Sequence, residues 1–166
     1  MRKSKIQNLT PKIFIALLLF TLGGCAPEAD LEVPDDLPEM LYFETIGRGQ
    51  NATLTDTTEI VLRDSAAWAE VQAHLHPLSP FKPVAFDQAM VLVIAIPDST
   101  SGKIIEVESV EQHGSDILVS YLLSEPAKDC MPAMAVNIPF QVLLVRRAEG
   151  TVRFERRTEP YRCGMK

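Results

Sequence analysis

From Leu41 onward the chain is a series of short apolar runs separated by turn residues, and that spacing restricts it to a sheet-based domain. Met90-Val91-Leu92-Val93-Ile94-Ala95-Ile96 is apolar at every position, as required of a central strand covered on both faces. Ile117 to Leu123 and Phe140 to Val145 read as further core strands, and Lys103 to Val110 has the mixed alternation of a half-exposed one. In Val152 to Thr158, Val152 and Phe154 fall on the inner face while Arg153, Glu155 and Arg157 face solvent, and Arg156 is out of phase. Leu41 to Ile46 and Glu59 to Leu62 form two more strands; Gly47 and Gly49, free to take positive φ, predict a hairpin between them. A single helix starts at the cap Asp64-Ser65, carries Trp68, Val71 and Leu75 on one face, and runs to about Leu75. Three prolines between His76 and Pro83 stop it. The expected class is α+β, predominantly antiparallel β, with one helix near residues 65–75.

The 166 residues leave room for little more than this domain. Residues 1–24 have the layout of a lipoprotein signal peptide: Arg2, Lys3, Lys5 and Lys12, an apolar run from Ile13 to Leu22 broken only by Thr21, then Gly23-Gly24 before Cys25. The run falls short of the roughly 20 residues needed to span a bilayer, so cleavage is expected instead of a permanent anchor. Leu22-Gly23-Gly24-Cys25 resembles the bacterial lipobox, which implies acylation of Cys25. Two or more acyl chains anchor a protein stably, each buried methylene contributing about 0.8 kcal/mol. Ala26 resembles the sorting pattern for the outer membrane, so the expected location is the bacterial cell envelope, lipid-anchored at the outer membrane. Residues 25–40 form an acidic, proline-containing tether, with three prolines, six acidic residues and no basic one after Cys25. Residues 41–166 are the β-rich domain.

Removing the signal takes four basic residues and no acidic one, turning a formal charge of −6 into −10. A chain this acidic, without a basic stripe interleaved with aromatics, is not expected to bind nucleic acid. Six arginines gather near the C-terminus, Arg146, Arg147, Arg153, Arg156, Arg157 and Arg162, either as a solvated sheet face or as a patch that steers a partner.

Once Cys25 is lipidated, Cys130 and Cys163 remain, and in an exported chain they are expected to form a disulfide. The competing reading is a soft-metal site of Cys130, Met131 and Met134, which has no histidine near it in sequence. His74, His76 and His113 lack ligand-spaced partners; His74 is expected to favour the C-terminal end of the helix dipole. The chain has no Gly-x-Ser-x-Gly and no His-Glu-x-x-His, and Gly47-x-Gly49 is no nucleotide fingerprint. No enzyme activity and no cofactor are expected.

The order of segments resembles the PrcB C-terminal domain family. Phe86-Asp87 enters Met90 to Val93, Ser99-Thr100-Ser101-Gly102 leads into Ile104 to Val107 and Val110, Trp68 lies in the preceding helix, Glu125-Pro126 ends one strand, and Pro139 to Val142 opens another. The family often has an aromatic residue where this chain has Lys103. The resemblance covers roughly Leu41 to Cys163 and implies a non-catalytic partner of a surface protease complex, bound or stabilised through protein contacts. The expected protein-binding loop is Asp98, Ser99, Thr100, Ser101 and Gly102. A proteinaceous protease inhibitor, or a small-molecule or metal-binding envelope protein, are the alternatives.

Overall fold

In the computed structural model, which describes residues 37–97, 102–131 and 137–163, the apolar run at Met90 becomes β4 (Ala89–Ala95), the strand around which the domain is organised. One sheet has the order β2 (Phe43–Gly49), β7 (Phe140–Arg146), β4, β3 (Thr58–Leu62). The other has the order β1 (Glu39–Met40), β5 (Ile104–His113), β6 (Asp116–Pro126), β8 (Val152–Tyr161). Every pairing is antiparallel except β6 with β8. The class is α+β, predominantly antiparallel β with a single short helix among the described residues.

The two sheets close over one apolar core. Met90, Leu92 and Ile94 of β4 and Leu143 and Val145 of β7 meet Val107, Val110, Ile117, Val119, Tyr121 and Leu123 of the facing sheet. On the opposite face of β4, Val91, Val93 and Ala95 join Val142, Trp68 and Leu75, with Phe81 and Phe86 against them. Burial on both faces explains why β4 has no polar position: each fully buried Val, Leu or Ile contributes about 1.5–3 kcal/mol, and any polar group there would need a partner. Trp68 and Phe81 meet edge to face with ring centroids 5.0 Å apart.

The helix, α1 (Ser65–Gln72), begins where expected: Asp64 Oδ1 accepts from the amides of Ala66 and Ala67 at 3.0 and 2.8 Å. It ends three residues before Leu75. His74 N instead donates to Val71 O in a tighter turn, and Leu75 forms a bridge with Ala52 while keeping its buried position.

The hairpin expected between residues 41–46 and 59–62 does not form, because β2 and β3 lie on opposite edges of their sheet with β7 and β4 between them. Central apolar strands demand neighbours on both sides, and that demand outweighs the local turn. Gly47 and Gly49 also serve another purpose, since neither has positive φ. A Cβ on Gly47 would lie 2.2 Å from the Phe81 ring, and one on Gly49 would lie 2.6 Å from Phe140. Space, not conformation, selects glycine there. Glu39 and Met40, expected in the tether, pair with Gln112 and Glu111, so the folded domain starts earlier than residue 41.

The parallel register of β8 accounts for Arg156. It sits opposite Tyr121, on the inner face with Val152 and Phe154, at the side of the sandwich where β3 and β8 are both edges. Tyr121 is fully buried, yet its hydroxyl donates to Glu59 Oε1 of β3 at 2.5 Å and interacts with Arg156. Polar groups close that side of the core.

Candidate functional site

The loop joining β4 to β5 crosses from one sheet to the other. Of its expected binding residues only Gly102 is described; Asp98, Ser99, Thr100 and Ser101 lie outside the described residues, as do residues 1–36 with Cys25. Gly102 has φ +112°, a conformation nearly closed to side-chain-bearing residues, and its carbonyl accepts from the Tyr161 hydroxyl at 2.9 Å. A Cβ there would meet that hydroxyl at 2.8 Å and Pro126 Cγ at 3.0 Å. Lys103 pairs with Glu125 at 2.9 Å.

Tyr161, the last residue of β8, is itself held. Its carbonyl accepts from Ala127 N at 2.9 Å, and Cys130 N donates to Ala127 O at 2.9 Å. Cys130 and Cys163 stand at bonding distance, with sulfurs 2.09 Å and Cα atoms 5.3 Å apart. The base of the loop is therefore tied to the ends of β6 and β8 and to the disulfide. The strand registers place the N-terminal entry at the far end: Ile104 faces Ser124 beside the loop, whereas Glu39 faces Gln112 near the other end of β5, about 27 Å away at 3.3–3.4 Å per residue.

Four of the six C-terminal arginines have carboxylate partners close by. Arg146 pairs with Glu39 at 3.3 Å, Arg153 with Asp116 at 3.8 Å, and Arg157 with Glu108 at 2.5 Å and with Glu159. Arg147 donates to the carbonyls of Phe86 and Arg63 at 2.7 and 3.0 Å and pairs with Glu149.

His74 directly follows Ala73, the C-cap of the helix. Its Nδ1 meets Thr53 Oγ1 at 2.8 Å, stitching the turn after α1 to the segment after β2. His113 lies 3.4 Å from Glu111. Among the described residues no three His, Cys, Asp or Glu side chains gather as a metal site, and Cys130 is joined to Cys163, so it offers no thiolate to Met131; Met134 lies outside the described residues. The Tyr121 hydroxyl is held well above its usual range, first by burial and then by its hydrogen bond to the Glu59 carboxylate. It is a proton donor in a structural contact. No helix among the described residues is long and apolar enough to cross a membrane.

What the sequence did not signal is the relief along β2. A furrow of about 290 Å³ runs between Thr45–Arg48 and the loop residues Pro77–Ser79. It adjoins a second of about 150 Å³ between Arg48–Gln50 and the start of β5 at Ile104-Ile105. Leu78, 92% exposed, forms a wall of both. A wider groove of about 510 Å³ borders Tyr42 and Glu44 at the other end of the strand. Three prolines near Leu78 were the only available hint, and they read simply as a loop.

Comparison of the chain with protein-family models, with curated proteins and with solved structures finds no match.

Proposed function

We propose that this protein is an envelope lipoprotein, anchored at the outer membrane through acylated Cys25, whose β domain is a non-catalytic module that binds a protein partner. Following the resemblance to the PrcB C-terminal domain family, the partner is a protease complex that the module stabilises. The observation that carries the reading is the construction of the loop end: Gly102, Tyr161, Pro126 and the Cys130–Cys163 pair brace the start of β5 at the end of the domain away from the entry at Leu37. Loops on a braced sheet present recognition groups at low ordering cost. An acidic, proline-containing tether suits a module held off a lipid surface.

The test is a pull-down with the lipidated chain from detergent-solubilised envelope, beside a variant in which residues 98–102 are replaced. A protease recovered only with the native loop, and more active or longer-lived in its presence, is the expected result. Loss of protease activity on adding the protein would replace stabilisation by inhibition. Identical recovered proteins for both forms would remove the loop from the reading.

A further inference from the structure

Among the described residues the two sheets have four edge strands, and they are unequally protected. β1 is two residues long. β8 carries Arg153, Glu155, Arg157 and Glu159 and ends in Pro160-Tyr161, and charge and proline are the usual deterrents to strand addition. β3 is five residues long and commits Glu59 to Tyr121. β2 is seven residues long, and among the described residues it pairs only with β7. Its Glu44 is neutralised by Lys82. Its remaining charge, Arg48, is exposed and has no ion-pair partner among the described residues. An edge strand presents unpaired backbone donors and acceptors along its outer side, and here furrows lie on both sides of Arg48. Ile46, at the bulge between Thr45 and Gly47, is buried in the core, and Gly47–Gly49 pairs in regular register with β7 up to the second furrow.

We propose that the β2 edge binds an extended, acidic segment of a partner protein by strand addition, a carboxylate of that segment pairing with Arg48 and its apolar side chains entering the furrows beside Leu78. The proposal rests on the binding-module reading and gives it a site. In a mature chain of net charge −10, an exposed arginine with no ion-pair partner among the described residues and a furrow on either side selects a ligand of complementary charge. Main-chain pairing supplies affinity and the furrows supply specificity, as in other strand-addition sites. A second β2 would bring one bulged edge against another, which fits less well than a regular partner strand.

The probe is a blocked nine-residue peptide of alternating valine and threonine with aspartate at its centre, together with its lysine-centred twin, titrated into the isotope-labelled full chain in detergent micelles. The aspartate peptide is expected to shift the amide signals of residues 43–49 and to bind at least tenfold more tightly than the twin. Arg48→Glu is expected to reverse the preference, and Leu78→Asp to weaken both peptides. Shifts elsewhere, no shifts, or binding indifferent to peptide charge would overturn the site. So would a concentration-dependent dimer through β2. In the envelope pull-down, native partners retained by Arg48→Glu overturn this site and leave the binding module standing. An empty pull-down with the native chain overturns the module reading, whatever the peptides do.

Discussion

Removing the Cys130–Cys163 bond is the perturbation whose size follows most directly from the fold. The two residues are 33 apart in sequence, and closing a loop of that length in the unfolded chain restricts it by about 4 kcal/mol from loop-closure entropy. The folded side adds a local term. From Glu155 to Pro160 β8 is exposed to solvent, and its end is held by the Ala127–Tyr161 hydrogen bond, the Tyr161–Gly102 hydrogen bond and the disulfide. For a domain of this size about 4 kcal/mol corresponds to a fall in Tm of roughly 10–15 °C. The assay is urea and thermal unfolding of the oxidised chain, the same chain under a dithiol reductant, and the Cys130→Ala/Cys163→Ala variant, with hydrogen exchange of the amides of residues 155–159 and Tyr161. Both reduced and doubly substituted forms should lose stability by similar amounts, and exchange should quicken first at the end of β8. A loss below about 1 kcal/mol in both forms would refute the reasoning, because it would mean that the unfolded chain is scarcely restrained by this loop.

Three further perturbations test other parts of the structure. Because Tyr121 binds its proton more tightly when folded than the ordinary phenol near pH 10, stability is complete below about pH 10 and falls as pH rises above it; Tyr121→Phe should lose about 1–3 kcal/mol at neutral pH and show a shallower alkaline decline in chemical melts. Gly102→Ala meets both a positive φ and the Tyr161 hydroxyl at 2.8 Å, so a loss of about 1–3 kcal/mol is expected in urea melts, with Tyr161→Phe at the same contact costing about 1 kcal/mol. Asp64→Ala leaves the Ala66 and Ala67 amides without their acceptor and should cost about 1 kcal/mol by thermal melting, whereas Asp64→Asn should cost less.

Strand existence was legible because burial leaves a period. β4, buried on both faces, has an unbroken apolar run, and the first part of β8 alternates because one face is wet. The cap at Asp64 was legible for the same local reason: its acceptor reaches amides two and three residues away. The candidate surface was less so. The cysteine pair stood out by elimination, but the brace at Gly102 depends on Tyr161, 59 residues distant, and nothing in the local sequence links them. The furrows at Arg48 likewise combine β2 with Pro77–Ser79 and the start of β5, three segments that meet only through the sheet order.

By itself the sequence determined the class of domain, its apolar strands, the start of its helix and the cysteines available to cross-link it, since each follows from short-range periodicity, capping chemistry or composition. Tertiary structure decided which strands are neighbours, why Gly47 and Gly49 must be small, why Arg156 shares a face with Val152 and Phe154 beside Tyr121, and which edges are left unpaired among the described residues. Pairing and register are settled by competition among all the strands for the same apolar faces, and that competition has no local signature in the chain.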